Sequence, residues 1–423
     1  MKPLKIGILG LGTVGGGLLE MALGNGPLSK MVEITGVSAR NKNRPRPVDI
    51  SKIAWFDDPS ELAKHENVDV IVELMGGADG PAYHAVITAL KAKKNVVTAN
   101  KAMLSAHGVE LAKLADENGV QIRYEAAVAG GIPIVKALRE GMAANNIKNI
   151  MGVMNGTSNY ILTEMAKTGR PFGDVLKDAQ ALGLAEADPT LDINGGDAGH
   201  KLALLCALAF NGEPKFEEIE LEGIERVEPV DLESATFLGF AVKLIASAGL
   251  NDNKLSQSVR PSLVALANPL AQLDGALNAI LVEAEPVGTL TFIGSGAGAG
   301  PTASAVAADL VDLFYNDVRP LFAGPCITNS NIEIAPKKSL NAKFYVRFNV
   351  ADKPGVIAKI SDTLARHQVS IESILQKPPT KPDNVAIVLT TQKCDELILI
   401  DAIDELSKYD EFIGKPLIMP ILN

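Results

Sequence analysis

The sequence predicts an α/β protein: a doubly wound parallel sheet comes first, a mixed α+β region follows, and a small ferredoxin-like module closes the chain. Three observations predict it. Over the first hundred or so residues, short apolar strand-like runs alternate with helix-like segments, the order that builds a parallel sheet covered by helices. After Gly130-Gly131-Ile132-Pro133 that alternation stops and helical stretches dominate. From residue 342 on, the elements run β-α-β-β-α-β, the ferredoxin-like plan.

The elements follow in order. Residues 5–10 form a short apolar strand and 14–23 a helix. Strands come next at 32–38, 69–74 and 95–98, with a helix at 82–92 between the last two, and 120–124 adds one more strand. Helices are expected at 134–142, 158–167, 173–182 and 201–210, whereas 255–263 and 290–293 look extended. The glycine-rich run 294–301 precedes a helix at 302–313 that can return to the first domain. Residues 324–341 carry Pro325 and Pro336 and read as a linker. In the last module, strands at 344–350, 369–375, 384–390 and 416–422 frame helices at 356–366 and 395–407. Leu399, Ala402, Ile403 and Leu406 give the second of these helices one apolar face. The proline-rich stretch 377–382 is a surface loop.

Composition narrows the function. A chain of 423 residues should hold two or three domains, and 47% hydrophobic residues supply their cores. Aromatics are only 4%, so those cores are mostly aliphatic. A formal charge of −10 argues against nucleic acid and acidic membrane surfaces. Cys206, Cys326 and Cys394 have no paired spacing, so neither a disulfide framework nor a zinc site is expected. The N-terminal apolar run is broken by glycines, unlike a signal peptide, and the apolar run 202–210 is too short to span a bilayer. A soluble, cytoplasmic protein is expected.

Residues 186–201, EADPTLDINGGDAGHK, carry the densest chemistry. Glu186, Asp188, Asp192, Asp197 and Lys201 precede or open an apolar helix, where acids are favoured by the unpaired N–H groups of the first turn. Asp197 and Lys201 are four apart and share one helix face. A lysine there, ringed by carboxylates, suits proton donation. The same pattern also describes a capped helix with a surface ion pair.

Gly10-Leu11-Gly12-Thr13-Val14-Gly15 fits G-x-G-x-x-G between a strand and a helix, the context of a Rossmann-type dinucleotide site. A tight glycine turn in an ordinary α/β domain is the other reading. The second strand ends in Ser38-Ala39-Arg40, where an acid for the ribose hydroxyls would be expected. Arg40 can instead hold a 2′-phosphate, which favours NADP over NAD, although a solvated basic loop would look the same.

Together with Thr98-Ala99-Asn100-Lys101, residues 124–133 (YEAAVAGGIP) and Asn155-Gly156-Thr157-Ser158-Asn159-Tyr160, these motifs resemble one family over essentially the whole chain. That family is homoserine dehydrogenase, in its monofunctional form with a C-terminal ACT domain. The resemblance implies reversible NAD(P)H-dependent reduction of L-aspartate 4-semialdehyde to L-homoserine, on the way to threonine, methionine and isoleucine. By position, Lys201 matches the proton donor and Lys101 a lysine near both nicotinamide and substrate. Glu186, Asp192, Asp197 and Thr157 match the substrate site. Gly10, Gly12, Thr13, Val14, Gly15, Arg40, Thr98, Lys101, Gly183 and Gly300 match the cofactor site. Glu125, Val128, Gly130 and Ile132 match a monovalent-cation site, sodium in the family, built from one carboxylate and backbone carbonyls. The same residues would also make a plain strand-to-helix turn.

The implied domains are 1–130 for the dinucleotide, joined by a helix at about 302–318, and 131–323 for substrate and dimerisation. A linker, 324–341, then leads to an ACT domain at 342–423. A homodimer or higher homo-oligomer is implied. Asp352-Lys353-Pro354-Gly355-Val356 resembles the ACT ligand loop, with L-threonine as the effector, or the module serves dimer contacts alone. Two alternatives to the leading function stand: another NADP-dependent reductase of amino-acid metabolism, and a non-catalytic amino-acid sensor.

Overall fold

The computed structural model describes residues 1–322, 332–376 and 384–422. It divides into two compact units, one of residues 1–150, 199–217 and 278–332, the other of 151–198, 218–277 and 333–423.

The first unit is built on six parallel strands: β1 Leu4–Leu9, β2 Val32–Ser38, β3 Ala54–Phe56, β4 Val70–Glu73, β5 Asn95–Thr98 and β6 Ile122–Arg123. Their spatial order is β3-β2-β1-β4-β5-β6. Strands covered on both faces read as continuous apolar runs, and Val70, Ile71 and Val72 are fully buried. The three-residue β3 was not among the expected strands, being too short to show a period. The strand order reverses between β1 and β4, and such a switch point opens a crevice at the carboxyl ends of the strands.

Four helices accompany the sheet: α1 Thr13–Leu23, α2 Pro59–Ala63, α3 Pro81–Lys91 and α4 Lys101–Asn118. α4 is not among the expected helices, because its apolar residues make only a weak stripe. The helix Ala299–Phe314 packs on α1, where a Cβ at Gly17 would stand 2.8 Å from the Ala299 carbonyl oxygen. Its Ala303, Val306 and Leu310 share one core with Ile6, Ile8, Leu18 and Leu19. The helix expected at 134–142 is instead one α-turn, Ile134–Lys136, that widens into a π-turn, Ala137–Gly141.

In the second unit, two twelve-residue strands, Phe240–Asn251 and Lys254–Ala265, pair antiparallel in unbroken register. Asp252 and Asn253 join them with φ of 47° and 62°, the left-handed pair that a tight hairpin turn needs. The C-terminal module has strands Asn341–Val350, Ile371–Gln376, Val385–Thr391 and Leu417–Leu422, with helices Val356–Arg366 and Glu396–Leu406. In space the strands run fourth, first, third, second, all antiparallel, which is the ferredoxin-like arrangement. Phe344, Val346, Ile360, Leu364, Leu399 and Ile403 fill its core.

The module is continuous with the hairpin beside it. Its last strand pairs in parallel with Lys254–Ala265, Ile421 opposite Leu263 and Leu422 opposite Val264. Fully buried Asp231 accepts hydrogen bonds from Tyr345 Oη at 2.8 Å and Arg347 Nε at 2.7 Å. Buried Arg260 and Glu396 form an ion pair at 2.6 Å. Part of the expected linker, residues 323–331 with Cys326, lies outside the described residues, as does the loop expected at 377–382. The remainder of that linker is not wholly irregular, because Glu333–Ile334 pairs with Lys254 and Leu255.

Candidate active site

The glycine fingerprint sits at the switch point between β1 and α1. Gly10 has φ of 95°, and a Cβ there would lie 2.5 Å from the Leu74 carbonyl oxygen. A Cβ at Gly15 would run into the Gly10 carbonyl, so the third glycine lets helix and strand close up. Gly12, by contrast, faces open space, and Gly12 and Thr13 are exposed at the helix start. Val14 is half-buried. This is a cradle that a pyrophosphate fits: bare backbone, a helix N-terminus and room above it. Arg40 is exposed just past the end of β2. Thr98 is buried at the end of β5, and Lys101 is the first residue of α4, half-buried, with Asn100 capping that helix through Met103 N–H at 3.1 Å.

The turn after β6 is more constrained than a plain connection. Glu125–Ala127 is a 3-10 turn, followed by Ala129 and Gly130 in the left-handed region with φ of 55° and 52°. A Cβ at Gly130 would stand 2.5 Å from the Gly296 carbonyl oxygen, and Gly131 N–H donates to Ser295 O at 3.0 Å. The glycine-rich run that precedes helix Ala299–Phe314 is thus packed on this turn, and Gly300 is exposed in that helix's first turn. Val128 and Ile132 are buried.

The Glu125 side chain is buried and bonded to backbone. Its two carboxylate oxygens accept Val135 N–H at 2.9 Å and Lys136 N–H at 2.8 Å, capping the turn that follows. Its backbone N–H donates to Asp309 Oδ2 at 2.8 Å. Burial, with Asp309 close by, pushes the Glu125 carboxyl up to about 7. Burial likewise lifts Asp309, to about 6. Arg139 pulls both carboxyls the other way, and Lys136 does so for Asp309, so positive charge already offsets part of the burial.

In the second unit, Asn155 brings the acids together. It is 4% exposed and caps helix Gly156–Thr168, its Oδ1 accepting Ser158 N–H at 2.8 Å. Its Nδ2 donates to Asp192 Oδ1 at 2.7 Å and to Asp197 Oδ2 at 2.9 Å. Both aspartates are half-buried. Thr157 Oγ1 donates to Leu184 O at 2.7 Å and so fixes the loop that bears Gly183 and Glu186, both exposed. Gly183 needs its glycine, with φ of 71°. Sequence reasoning quoted Asn155 within a motif but gave it no role. An N-cap signature was there to read; its second duty needs residues far along the chain.

Gly195 turns left-handed with φ of 88°, and the helix Gly196–Ala209 starts at once, with Asp197 in its first turn and Lys201 one turn later. Lys201 is 8% exposed and opens the buried run Leu202–Leu208. Cys206 is buried there too, and burial pushes its thiol well above the usual range. His200 stacks on Phe216 with ring centroids 3.9 Å apart, and His107 pairs with Asp79 at 2.8 Å.

Comparison with known proteins agrees with this geometry. Residues 10–125 match the family model described as homoserine dehydrogenase, NAD binding domain; 133–311 match homoserine dehydrogenase; 344–411 match the ACT domain. Homoserine dehydrogenase of Neisseria gonorrhoeae is 41% identical, with 99% of this chain and 98% of that protein covered. The one from Synechocystis is 39% identical, with 99% and 100% covered. The chain belongs to the homoserine dehydrogenase family. A crystal structure of a homoserine dehydrogenase from Thiobacillus denitrificans superposes with a TM-score of 0.91 at 37% identity, over 100% of this chain and 99% of that one. A hyperthermophilic archaeal homoserine dehydrogenase in complex with NADPH gives 0.65 at 28% identity, over 75% of this chain and 99% of that one. The chain is accordingly an NAD(P)-dependent oxidoreductase acting on CH–OH groups. Its ACT domain points to an amino-acid ligand. No helix among the described residues is long and apolar enough to cross a membrane.

Proposed function

We propose that this chain interconverts L-aspartate 4-semialdehyde and L-homoserine with NADP(H), in the cytoplasmic route to threonine, methionine and isoleucine. The observation that carries the reading is the Asn155 bridge, which holds Asp192 and Asp197 at the start of the helix that bears Lys201. The bound dinucleotide supplies hydride to the aldehyde carbon. The Lys201 ammonium gives its proton to the developing alkoxide oxygen, and takes one back in the reverse direction. Lys101 adds positive charge beside that oxygen. Asp192, Asp197 and Glu186 accept from the substrate's ammonium group, and Thr157 keeps the 183–186 loop in place.

Gly10, Gly12, Thr13, Val14, Gly15, Thr98, Gly183 and Gly300 line the dinucleotide site in this reading, and Arg40 favours the 2′-phosphate of NADP. A sodium ion would be held by the Glu125 carboxylate with backbone carbonyls of Val128, Gly130 and Ile132; the two N–H groups on that carboxylate fix its place in the turn. Residues 1–130 with the 302–318 helix form the dinucleotide domain, 131–323 the substrate and dimerisation domain, and 342–423 a regulatory ACT domain that takes L-threonine at the Asp352–Val356 loop. The enzyme works as a homodimer or higher homo-oligomer.

The test is direct. NADPH and L-aspartate 4-semialdehyde are mixed with the protein, and the reduced-nicotinamide absorbance is followed. A fall that depends on both substrates supports the reading; a flat trace with active cofactor overturns it.

A further inference from the structure

Glu73 ends β4 at the switch-point crevice, is fully buried, and has had no role so far. Its Oε1 accepts Met75 N–H at 2.7 Å and Gly76 N–H at 3.2 Å, which folds the segment after β4 back over the strand end. Its Oε2 accepts the Thr98 hydroxyl at 2.6 Å, from the end of the neighbouring β5. Thr98 Oγ1 in turn accepts Asn100 N–H at 3.0 Å. Asn100 then closes the circuit: Nδ2 donates to Gly77 O at 2.7 Å, and Oδ1 accepts Met103 N–H at 3.1 Å. One carboxylate thus ties together the 74–77 segment, whose Leu74 carbonyl abuts Gly10, and the cap of the helix that begins at Lys101.

A buried carboxylate is expensive to desolvate, and a strand end needs none to stay folded. Here each oxygen meets a donor, and every donor belongs to a segment beside the glycine cradle or Lys101. We propose that Glu73 is a positioning residue for the dehydrogenase reaction: it pre-organises the nicotinamide-side wall of the dinucleotide site and the backbone that aims Lys101. The inference rests on the reading of Lys101 and of the glycine cradle given above.

Glu73→Gln tests it with almost no change in shape. If the amide nitrogen faces Thr98, the hydroxyl loses its acceptor; if it faces Met75 and Gly76, donor meets donor. In the first case the bond to Thr98 reverses, the amide donating to Oγ1; either way one donor is left without its acceptor. The full-length variant should show a dissociation constant for NADPH and a kcat each worse by about tenfold to a hundredfold, the usual cost of a slightly misplaced group. KM for the aldehyde should stay near wild type. Thr98→Val removes the other end of the same hydrogen bond and should resemble Glu73→Gln, and the pair together should cost little more than either alone. Unchanged NADPH affinity and kcat in Glu73→Gln would overturn the proposal. So would a parallel decline of Tm and every kinetic constant, the signature of a purely structural residue. A wild-type protein inactive with NADPH would instead sink the parent reading.

Discussion

Replacing Asn155 by aspartate is the sharpest test of the acid cluster. The side chain has two jobs on opposite ends: Oδ1 caps a helix through Ser158, and Nδ2 neutralises the approach of Asp192 and Asp197. Aspartate caps a helix as well as asparagine does, so Asn155→Asp leaves the first job intact. It converts the second into repulsion, because a carboxylate oxygen now faces two others where 2.7 and 2.9 Å contacts stood. Each lost bond to a charged acceptor costs about 1.5–3 kcal/mol. Like charges about 4 Å apart add up to about 4 kcal/mol per pair at an effective dielectric of 20, before protonation or movement relieves them. A net destabilisation of about 3–5 kcal/mol is expected in urea unfolding at pH 8. Homoserine oxidation should show KM raised at least about tenfold, the equivalent of about 1.4 kcal/mol, with NADP binding unchanged. Asn155→Ser keeps the cap without adding charge and should fall between the two. If Asn155→Asp retains the wild-type KM and stability at pH 8, Asp192 and Asp197 are not the substrate's anchor and the reasoning fails.

Four further predictions can be checked together. Lys201→Ala should lower turnover by about two to four powers of ten while NADPH still binds; near-normal turnover would remove Lys201 from the chemistry. Arg40→Ala should raise KM for NADPH more than for NADH, and an equal effect on both would mean that Arg40 does not read the phosphate. Glu125, lifted from 4.5 to about 7, and Asp309, lifted from 3.8 to about 6, bind protons more tightly folded than unfolded, so the stability they contribute is lost as pH rises from about 4 to 7. Sodium should offset that loss, raising Tm at pH 8 but hardly at pH 5; an equal rise at both would place the ion elsewhere. Arg347→Met strands fully buried Asp231 and should cost about 3–5 kcal/mol in urea unfolding, and adding Asp231→Asn should recover part of it.

Much of this protein is legible locally, because the physics there is local. A glycine fingerprint needs only a strand before it and a helix after it. The helix from Gly196 announces itself by Gly195, by an acid in its first turn and by an apolar run. The ferredoxin-like order follows from short periodic segments and turns. What failed in the reading failed for the opposite reason. Phe240–Asn251, FAVKLIASAGLN, has three alanines and two leucines and no strict alternation, and only its pairing with Lys254–Ala265 makes it a strand. α4 has a local start signal in its cap, Asn100, but its apolar stripe is too faint to show a helical period.

By itself, then, the sequence determined most of the elements, the glycine turn after β1 and the place of Lys201 in the first turns of its helix, each set by neighbours within a few residues. Only the tertiary structure decided which polar groups would meet: Asn155 with acids 37 and 42 residues away, Glu73 with Thr98 25 away, Glu125 with Asp309 184 away. Buried polar groups must find partners wherever the folded chain brings them, and that choice leaves no periodic trace along the sequence.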